Sequence, residues 1–189
     1  MHILGIDIGG TGIKSAIVDT ENGELQGDKQ RIETPRPASP QAIGKTLKSV
    51  LAEHRWNGPV GIGFPSVIQH GISRSAANID KAFIDFPVAD FFSEQTACPV
   101  YIANDADVAG LAEMRFGAGL NQPGAVLIVT IGTGLGTALF NNGQLMPNTE
   151  LGHIFLDNGI EAERHASEAV RTTEKLKWKE WSTRFNHYL

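Results

Sequence analysis

The sequence predicts an α/β protein built as two lobes. Two segments share one pattern of a buried strand, a glycine-rich turn and a second strand: DIGGTGIKSAIV near the start and TIGTGLGTALF after residue 129. Short apolar strands and amphipathic helices alternate between them. The two similar segments suggest an internal duplication. A glycine-containing break at residues 117–124 then divides the chain into lobes at 1–120 and 121–189.

The first lobe is predicted to begin with antiparallel strands. Residues 3–8 and 14–19 form the first two strands, and Asn22-Gly23 is a hairpin signal that leads into a third strand at 24–33. Ser39-Pro40 then gives an N-cap and a first-turn proline for a helix that extends to about Arg55. Its apolar face consists of Ile43, Leu47, Val50, Leu51 and His54.

The pattern of strand and helix continues to the end of the chain. VGIGFP at 60–65 and residues 100–103 are predicted strands, and residues 106–116 form a helix that ends at Gly117. Residues 125–131 begin the second strand–turn–strand unit. The segment 161–189 is predicted to be helical, with an intermittent apolar stripe of Leu176, Trp181, Phe185 and Tyr188.

Composition excludes several classes of function. The 189 residues contain 16 Lys and Arg against 21 Asp and Glu, a net charge of −5, which argues against bulk binding of nucleic acid or of an acidic membrane surface. The single cysteine, Cys98, excludes a disulfide framework and a cysteine zinc cage, and fits a reducing cytoplasm. No stretch approaches the roughly 18 apolar residues of a membrane helix.

The two glycine turns are candidate phosphate sites. Either turn alone could be only a tight hairpin, but two of them, each with a threonine, favour anion binding through exposed backbone N–H groups. Asp7 would hold a magnesium ion through water, and Lys14 could add a positive charge or could be an ordinary solvated lysine. A phosphate clamp between two lobes is the favoured interpretation.

Asn104-Asp105 stands where a strand meets a helix. Both residue types are favoured as ordinary helix caps. The functional alternative is that Asp105 accepts the proton of a hydroxyl nucleophile while the neighbouring amide orients the substrate.

A third group of polar residues follows the second glycine turn. Glu150, His153 and Glu163 offer acceptors and amphoteric groups that suit a polyhydroxylated ligand such as a sugar. The spacing of His153 and Asp157 allows a metal as the competitor, but no cysteine or second histidine stands at usable spacing, so zinc is not expected.

Together, DIGGTGIK, IGTGLG, the ND junction and ELGH resemble the ROK family of sugar kinases, whose fold is the actin-like, ribonuclease H-like ATPase fold. The segments GFPSVIQHGISRSAANIDK, FGAG, MPNTELGH and AERHAS are similar to the polyphosphate glucokinases within it. The resemblance implies a transferase that phosphorylates the 6-hydroxyl of glucose with Mg²⁺ and with polyphosphate, ATP or both as donor. It also implies a cytoplasmic homodimer of carbohydrate metabolism.

Motif by motif, the resemblance assigns roles to residues of this sequence. Asp105 would be the catalytic base. The sugar would be held by Asn78, Asn104, Asp105, Glu150, His153 and Glu163. The two phosphate sites would be formed by Asp7, Gly9, Gly10, Thr11 and Lys14 and by Gly132, Thr133, Gly134 and Gly136.

The sequence departs from the family pattern in two places. The cysteine cluster of the ROK zinc motif is absent, since residues 154–162 read IFLDNGIEA. Family members also continue past the point where this chain stops, so the second lobe is expected to be truncated, with instability, association or weak kinase activity as consequences. Two alternatives follow: an ATP-dependent kinase of another hexose, such as mannose or fructose, and a non-catalytic sugar-binding remnant. The first strand begins by Ile3, where repressor members carry a helix-turn-helix, so DNA binding is not expected.

Overall fold

The structure, a computed structural model, describes residues 1–77 and 79–189. Asn78, a predicted sugar-binding residue, lies outside the described residues. The chain forms two compact units, Met1–Val108 and Ala109–Leu189. The predicted boundary between residues 120 and 121 stays a prediction about the domains. Within the described residues, no helix combines the length and the apolar character needed to span a membrane.

The described residues of unit 1 form a five-stranded sheet, a separate pair of short strands and helices. The strands are β1 (His2–Ile8), β2 (Gly12–Asp19), β3 (Gln30–Glu33), β4 (Val60–Phe64), β5 (Ile68–Gln69), β6 (Ile72–Ser73) and β7 (Val100–Asn104). The helices are α1 (Pro40–Glu53), α2 (Val88–Thr96) and α3 (Asp105–Phe116), and the division between the units falls within α3.

The five-stranded sheet has the strand order β3-β2-β1-β4-β7. β1 pairs antiparallel with β2, and β2 pairs antiparallel with β3, whereas β1, β4 and β7 are mutually parallel. The two remaining strands, β5 and β6, pair antiparallel with each other.

The core of unit 1 follows from the apolar periodicity of its elements. Alternate residues of β1 are buried, and α1 buries the predicted stripe except for His54, which is only half-buried. The α1 N-terminus is capped as predicted, because the Ser39 hydroxyl accepts the N–H of Ala42 and Pro40 occupies the first turn. Three fully buried phenylalanines, Phe64, Phe83 and Phe92, pack edge to face.

The predicted third strand is wrong over most of its length. It was expected at residues 24–33, but β3 covers only Gln30–Glu33. Gly27 has a φ of +97°, which is outside the range of an extended strand, and only an isolated bridge joins Val18 to Leu25. The chain therefore loops away from β2 before it pairs with it again.

Unit 2 contains a three-stranded antiparallel sheet and three further helices. The elements are β8 (Ala125–Ile131), β9 (Leu135–Asn141), β10 (Gln144–Met146), α4 (Ala162–Ala166), α5 (Glu168–Thr173) and α6 (Trp178–Tyr188). The strand order of the sheet is β10-β9-β8. The helical tail predicted for 161–189 is thus three helices. Ser167 is extended and caps α5, and Lys175 has a φ of 55°, so helix geometry is interrupted at both places.

Aromatic side chains of α6 pack against one another and against the rest of unit 2. Trp181 and Phe185 stack with ring centroids 5.2 Å apart, and the Trp181 indole N–H donates to the backbone oxygen of Ala166. Tyr188 is buried in one cluster with Leu135 of β9. The predicted apolar stripe of the tail therefore serves to hold α6 against α4 and β9.

Candidate active site

Two predicted functional groups of unit 1 lie at one edge of its sheet. Asp7 at the end of β1 pairs with Gly63 of β4, and Gly63 pairs with Ala103 of β7. Because β1, β4 and β7 are parallel, their carboxyl ends meet at this edge, and Asp7 lies two strands, or about 10 Å, from the Asn104-Asp105 junction. In open α/β sheets this is the edge at which ligands bind.

The first glycine turn closes the hairpin of β1 and β2. Ile8 and Ile13 are its last paired residues, and the Gly9 N–H donates to the Gly12 oxygen at 3.0 Å. The buried Thr34 hydroxyl, which the sequence prediction missed, donates to the Gly9 oxygen at 2.6 Å. Gly10 and Thr11 at the tip are exposed. The Thr34 hydrogen bond thus holds the base of the turn in place, and the exposed residues at its tip can contact a ligand.

Asp7 and Lys14 form an ion pair beside this turn. Lys14 Nζ lies 2.9 Å from Asp7 Oδ2, and both side chains are nearly half exposed, at 45% and 49%. The register explains the contact, because the two residues face each other across β1 and β2. A partly exposed carboxylate beside a glycine turn fits a water-mediated Mg²⁺ ligand, so Asp7 could hold the ion.

Asn104 is the helix cap that the sequence allowed as one of its interpretations. Its Oδ1 accepts the N–H groups of Ala106 and Asp107 at 2.9 and 3.1 Å, and its Nδ2 donates to the Ser66 oxygen at 3.2 Å. Asp105 is half-buried, and its Oδ1 accepts the Ala106 N–H at 2.8 Å. The cap therefore fixes the backbone on which Asp105 stands, at the first turn of α3.

The second glycine turn lies between β8 and β9 in unit 2. Ile131 and Leu135 close the hairpin, and the Gly132 N–H donates to the Gly134 oxygen at 3.0 Å. Gly132 and Thr133 are exposed, whereas Gly136 is paired within β9. The Gly132 oxygen accepts N–H groups from the start of α5.

The predicted sugar residues of unit 2 do come together. His153 Nε2 lies 3.6 Å from a Glu150 oxygen, and His153 Nδ1 lies 3.9 Å from a Glu163 oxygen. A Cβ atom at Gly134 would collide with the Glu163 carboxylate, so the absence of a side chain there lets Glu163 reach the second glycine turn. Three predicted sugar residues and one glycine of the turn thus form one cluster.

Glu161 is a member of this cluster that sequence reasoning missed. Its Oε1 lies 2.7 Å from His153 Nδ1, and its Oε2 lies 2.9 Å from Arg164 Nε. The bridge between Phe155 and Glu161 folds the chain back on itself, which brings Glu161 to a histidine eight residues earlier. The turn at 157–159 is the only sequence signal of this proximity.

The carboxylates change the acidity of His153. Partial burial disfavours the charged ring, but the hydrogen bond to Glu161 and the charges of Glu163, Glu150 and Glu161 outweigh it, so the pKa of His153 is raised above its ordinary value of 6.5. The ligand atoms of His153, Glu161 and Glu163 lie within 4.8 Å of one another and could also hold a cation. The expectation that zinc is absent therefore stays a prediction.

Comparison with known proteins decides the family. Residues 3–172 match the ROK family. The chain belongs to the ROK family. This membership confirms the resemblance drawn from the motifs.

Relatives of this ROK chain are sugar kinases. It is 44% identical over 189 residues to the polyphosphate glucokinase of Mycobacterium tuberculosis strain CDC 1551, and the alignment covers all of this chain and 71% of that protein. The inorganic polyphosphate/ATP-glucomannokinase of Arthrobacter sp. strain KM superposes with a TM-score of 0.94 at 43% identity, over 99% of this chain and 76% of that one. A ROK glucokinase of Streptomyces griseus, in complex with glucose and AMPPNP, superposes with a TM-score of 0.79 at 29% identity. This superposition covers 92% of this chain and 59% of that one.

The solved relatives confirm the predicted fold class. The chain has the mixed α/β fold of ROK sugar kinases, which is the actin-like ATPase fold. It spans about seven-tenths of the length of the Mycobacterium tuberculosis relative.

Proposed function

We propose that this ROK chain is a glucokinase that transfers the terminal phosphoryl group of polyphosphate or ATP to the 6-hydroxyl of glucose. The observation that carries the proposal is the shared sheet edge of unit 1, where Asp7, beside the exposed glycine turn, lies two strands, or about 10 Å, from the Asn104-Asp105 junction. Relatives named polyphosphate glucokinase and polyphosphate/ATP-glucomannokinase support this donor and acceptor.

In the proposed reaction, the glucose 6-hydroxyl oxygen attacks the terminal phosphorus in line with the leaving phosphate oxygen. The Asp105 carboxylate accepts the hydroxyl proton as the new P–O bond forms and the bond to the donor's bridging oxygen breaks. Phosphoryl transfer needs little covalent help, so the main work of Asp105 is to position and polarise the hydroxyl. Asn104 supports it by capping α3 and fixing the backbone on which Asp105 stands.

The donor end of the site belongs to the first glycine turn. Exposed N–H groups at Gly10 and Thr11 and the ammonium of Lys14 would contact phosphate oxygens, with Gly9 anchored beneath them. Mg²⁺, when bound through Asp7, would neutralise negative charge on the phosphates. Gly132, Thr133, Gly134 and Gly136 are proposed as the second phosphate contact.

The proposed sugar-binding residues are those that the motifs assign. Glu150, His153 and Glu163 would bind sugar hydroxyls in unit 2, and Asn104 and Asp105 would do so in unit 1, with Asn78 as a further proposed contact. Carboxylates accept hydrogen bonds from sugar hydroxyls, and the His153 ring can donate one. Each hydroxyl bound in this way adds to the orientation of the attacking 6-hydroxyl.

The test is glucose phosphorylation with tripolyphosphate, long-chain polyphosphate or ATP, by wild type, Asp105→Asn and the exposed control Asp28→Asn. Loss of a general base lowers kcat by roughly 10²- to 10⁴-fold, and we expect this for Asp105→Asn with the glucose KM little changed. Asp28→Asn should match wild type. Turnover that survives in Asp105→Asn would remove Asp105 as the base.

A second hexose is supported by one observation: the Arthrobacter relative is named a glucomannokinase. Mannose and glucose should therefore be compared as acceptors in the same assay. Glucose binding without turnover, with any donor, would favour the sugar-binding remnant.

We further propose a cytoplasmic homodimer that binds neither nucleic acid nor membrane. The net charge of −5 opposes general affinity for polyanionic nucleic acid. Large exposed apolar side chains in unit 2, with Phe155 at 75% and Trp178 at 66% exposure, offer contact area for a second copy. Light scattering after size exclusion measures the mass directly, and a monomer at micromolar concentration would contradict the dimer.

A further inference from the structure

Three charged residues form a row across the sheet of unit 1. Asp7 of β1 faces Lys14 of β2, and Lys14 faces Arg31 of β3. Residues that face each other in neighbouring strands point to the same side of the sheet, with Cβ atoms about 5 Å apart. The row therefore ends in a guanidinium group on the side of the sheet that carries Asp7 and Lys14.

The Arg31 guanidinium lies across the first glycine turn. Its Nη2 donates to the Thr11 oxygen at 3.1 Å. A Cβ atom at Gly12 would stand 2.7–2.8 Å from three atoms of the guanidinium group, which is closer than real contacts allow. Gly12 thus leaves the space that Arg31 occupies, and the arginine head group is held at the exposed tip of the turn.

The charges of this row do not balance. Lys14 is paired with Asp7 at 2.9 Å, whereas Arg31 makes no ion pair within the described parts of the chain, residues 1–77 and 79–189. Glu33, two residues further along β3 and on the same side, does not pair with it. Like charges that face each other across a strand pair are destabilising, so the facing Lys14 and Arg31 would be relieved by an anion bound beside them.

We propose that Arg31 binds a phosphate group of the phosphoryl donor at the first glycine turn, as a second cation beside Lys14. This inference rests on the proposed function, and it adds a residue that the motifs did not include. Arginine suits the role because its planar head presents five N–H donors, only one of which is used by Thr11, and can contact two oxygens of one phosphate. The ligand chemistry is an oligophosphate chain, which inorganic polyphosphate and ATP share.

The experiment measures binding and turnover separately. Calorimetry gives the affinity of wild type, Arg31→Gln and Arg31→Lys for inorganic tripolyphosphate with Mg²⁺ and without glucose. Steady-state kinetics then give the KM of tripolyphosphate, ATP and glucose. Arg55→Gln is the matched control, because it removes the same charge from another exposed site of unit 1.

We expect Arg31→Gln to weaken tripolyphosphate binding and to raise the donor KM by about tenfold or more, as loss of a charged hydrogen bond does, with the glucose KM unchanged. Arg31→Lys should recover part of this, because it restores the charge but not the planar fork. A loss confined to tripolyphosphate assigns Arg31 to the inorganic donor, and an equal loss with ATP assigns it to the phosphate that both donors share.

Two results would overturn the proposal: unchanged tripolyphosphate affinity in Arg31→Gln, or an equal loss in Arg55→Gln, which would indicate only general electrostatic attraction. Its failure can be told from failure of the proposed function. Wild type that phosphorylates glucose while Arg31→Gln does so equally well refutes the role of Arg31 alone. Wild type that binds tripolyphosphate through Arg31 without phosphorylating glucose refutes the kinase alone.

Discussion

Each unit contains a glycine turn between two antiparallel strands, and in each a glycine leaves room for a charged side chain. In unit 1, Gly12 accommodates the guanidinium of Arg31, whereas in unit 2, Gly134 accommodates the carboxylate of Glu163. Lys14 stands near the first turn, and the carboxylates of Glu161 and Glu163 surround His153 beside the second. In these two turns of similar sequence, the side chains that pack against a glycine thus carry opposite charges.

This difference separates two kinds of recognition that the shared motif obscures. Cations at an exposed turn favour phosphate oxygens, and carboxylates with an imidazole favour the hydroxyls of a sugar. The prediction that Gly132 and Thr133 contact phosphate stays a prediction. If it is right, the charge of the neighbouring Glu163 must be offset by His153 or by a bound cation, because a carboxylate repels a phosphate.

Among the changes that test this comparison of the two turns, removing the charge of Glu163 at the second turn has the largest expected effect. Glu163→Gln should raise the glucose KM by roughly 10- to 100-fold, since a hydrogen bond to a charged group contributes about 1.5–3 kcal/mol. The donor KM should be unchanged, which steady-state kinetics at saturating co-substrate will measure. Glu168→Gln, an exposed α5 residue, is the control. A rise in the donor KM with an unchanged glucose KM would reverse the assignment of the two turns.

The next largest effect is the loss of folding stability when a glycine is replaced by alanine. This loss should depend on whether the new Cβ meets backbone atoms or a flexible side chain. A Cβ at Gly152 would collide with the Leu135 carbonyl oxygen, which cannot move without disturbing β9. Gly152→Ala should therefore destabilise the protein by about 1–3 kcal/mol. Gly12→Ala should cost less stability, because the Arg31 side chain can move away, but it should raise the donor KM.

Urea unfolding of the two variants checks this ranking. Gly61→Ala is the control, because the nearest heavy atom to a Cβ there is 3.8 Å away, an ordinary contact distance. Equal stability of Gly152→Ala and the control would contradict the packing argument.

The sequence predicted the elements whose signals are local. Residues 125–131 are β8 as predicted, and the ND junction is the boundary between β7 and α3. The apolar period also identified α1. The prediction missed α2, where the helix begins at Val88 without a side-chain cap, and it extended β3 through Gly27, whose left-handed φ depends on the turn. An uncapped helix start and a positive φ at a single glycine cannot be recognised from the local amino-acid sequence.

The sequence predicted the site residues by motif but not their partners. Arg31, Thr34 and Glu161 contact predicted site residues across 20 residues, 25 residues and 8 residues of chain. Each contact depends on strand register or on a turn that folds the chain back. The spacing of residues in a motif does not predict either of these. The motifs therefore located the two turns, and only the structure revealed their opposite charges.

A smaller effect concerns the acidity of His153. Glu161→Gln should lower the raised pKa of His153 towards 6.5, because it removes a charged hydrogen-bond partner at 2.7 Å. Since the folded-state pKa is raised, the interaction stabilises the fold fully below pH 6.5 and is lost as the pH rises through the folded-state pKa. The difference in unfolding free energy between wild type and variant should thus be largest in mildly acidic solution just below pH 6.5 and should shrink as the pH rises through the folded-state pKa of His153.

Ring-proton NMR titration of His153 measures this pKa. Glu168→Gln, which changes a carboxylate outside the cluster, should leave it unchanged. A His153 pKa that stays the same or rises in Glu161→Gln would contradict the proposed cause.

The smallest expected effect is the loss of stability in Lys14→Met. The Asp7–Lys14 pair is almost half exposed, and such pairs contribute about 0–1 kcal/mol. The variant should therefore unfold at nearly the wild-type urea concentration, with a difference that shrinks in high salt because charges in water are screened. Lys48→Met, an exposed change in α1, is the matched control.

The two lysine variants should differ in donor binding. The donor KM of Lys14→Met should rise, because the Lys14 charge contributes to anion binding at the turn even though it contributes little to folding. The donor KM of Lys48→Met should stay at the wild-type value. A loss of several kcal/mol in Lys14→Met would instead make this row of charges a structural feature of the sheet.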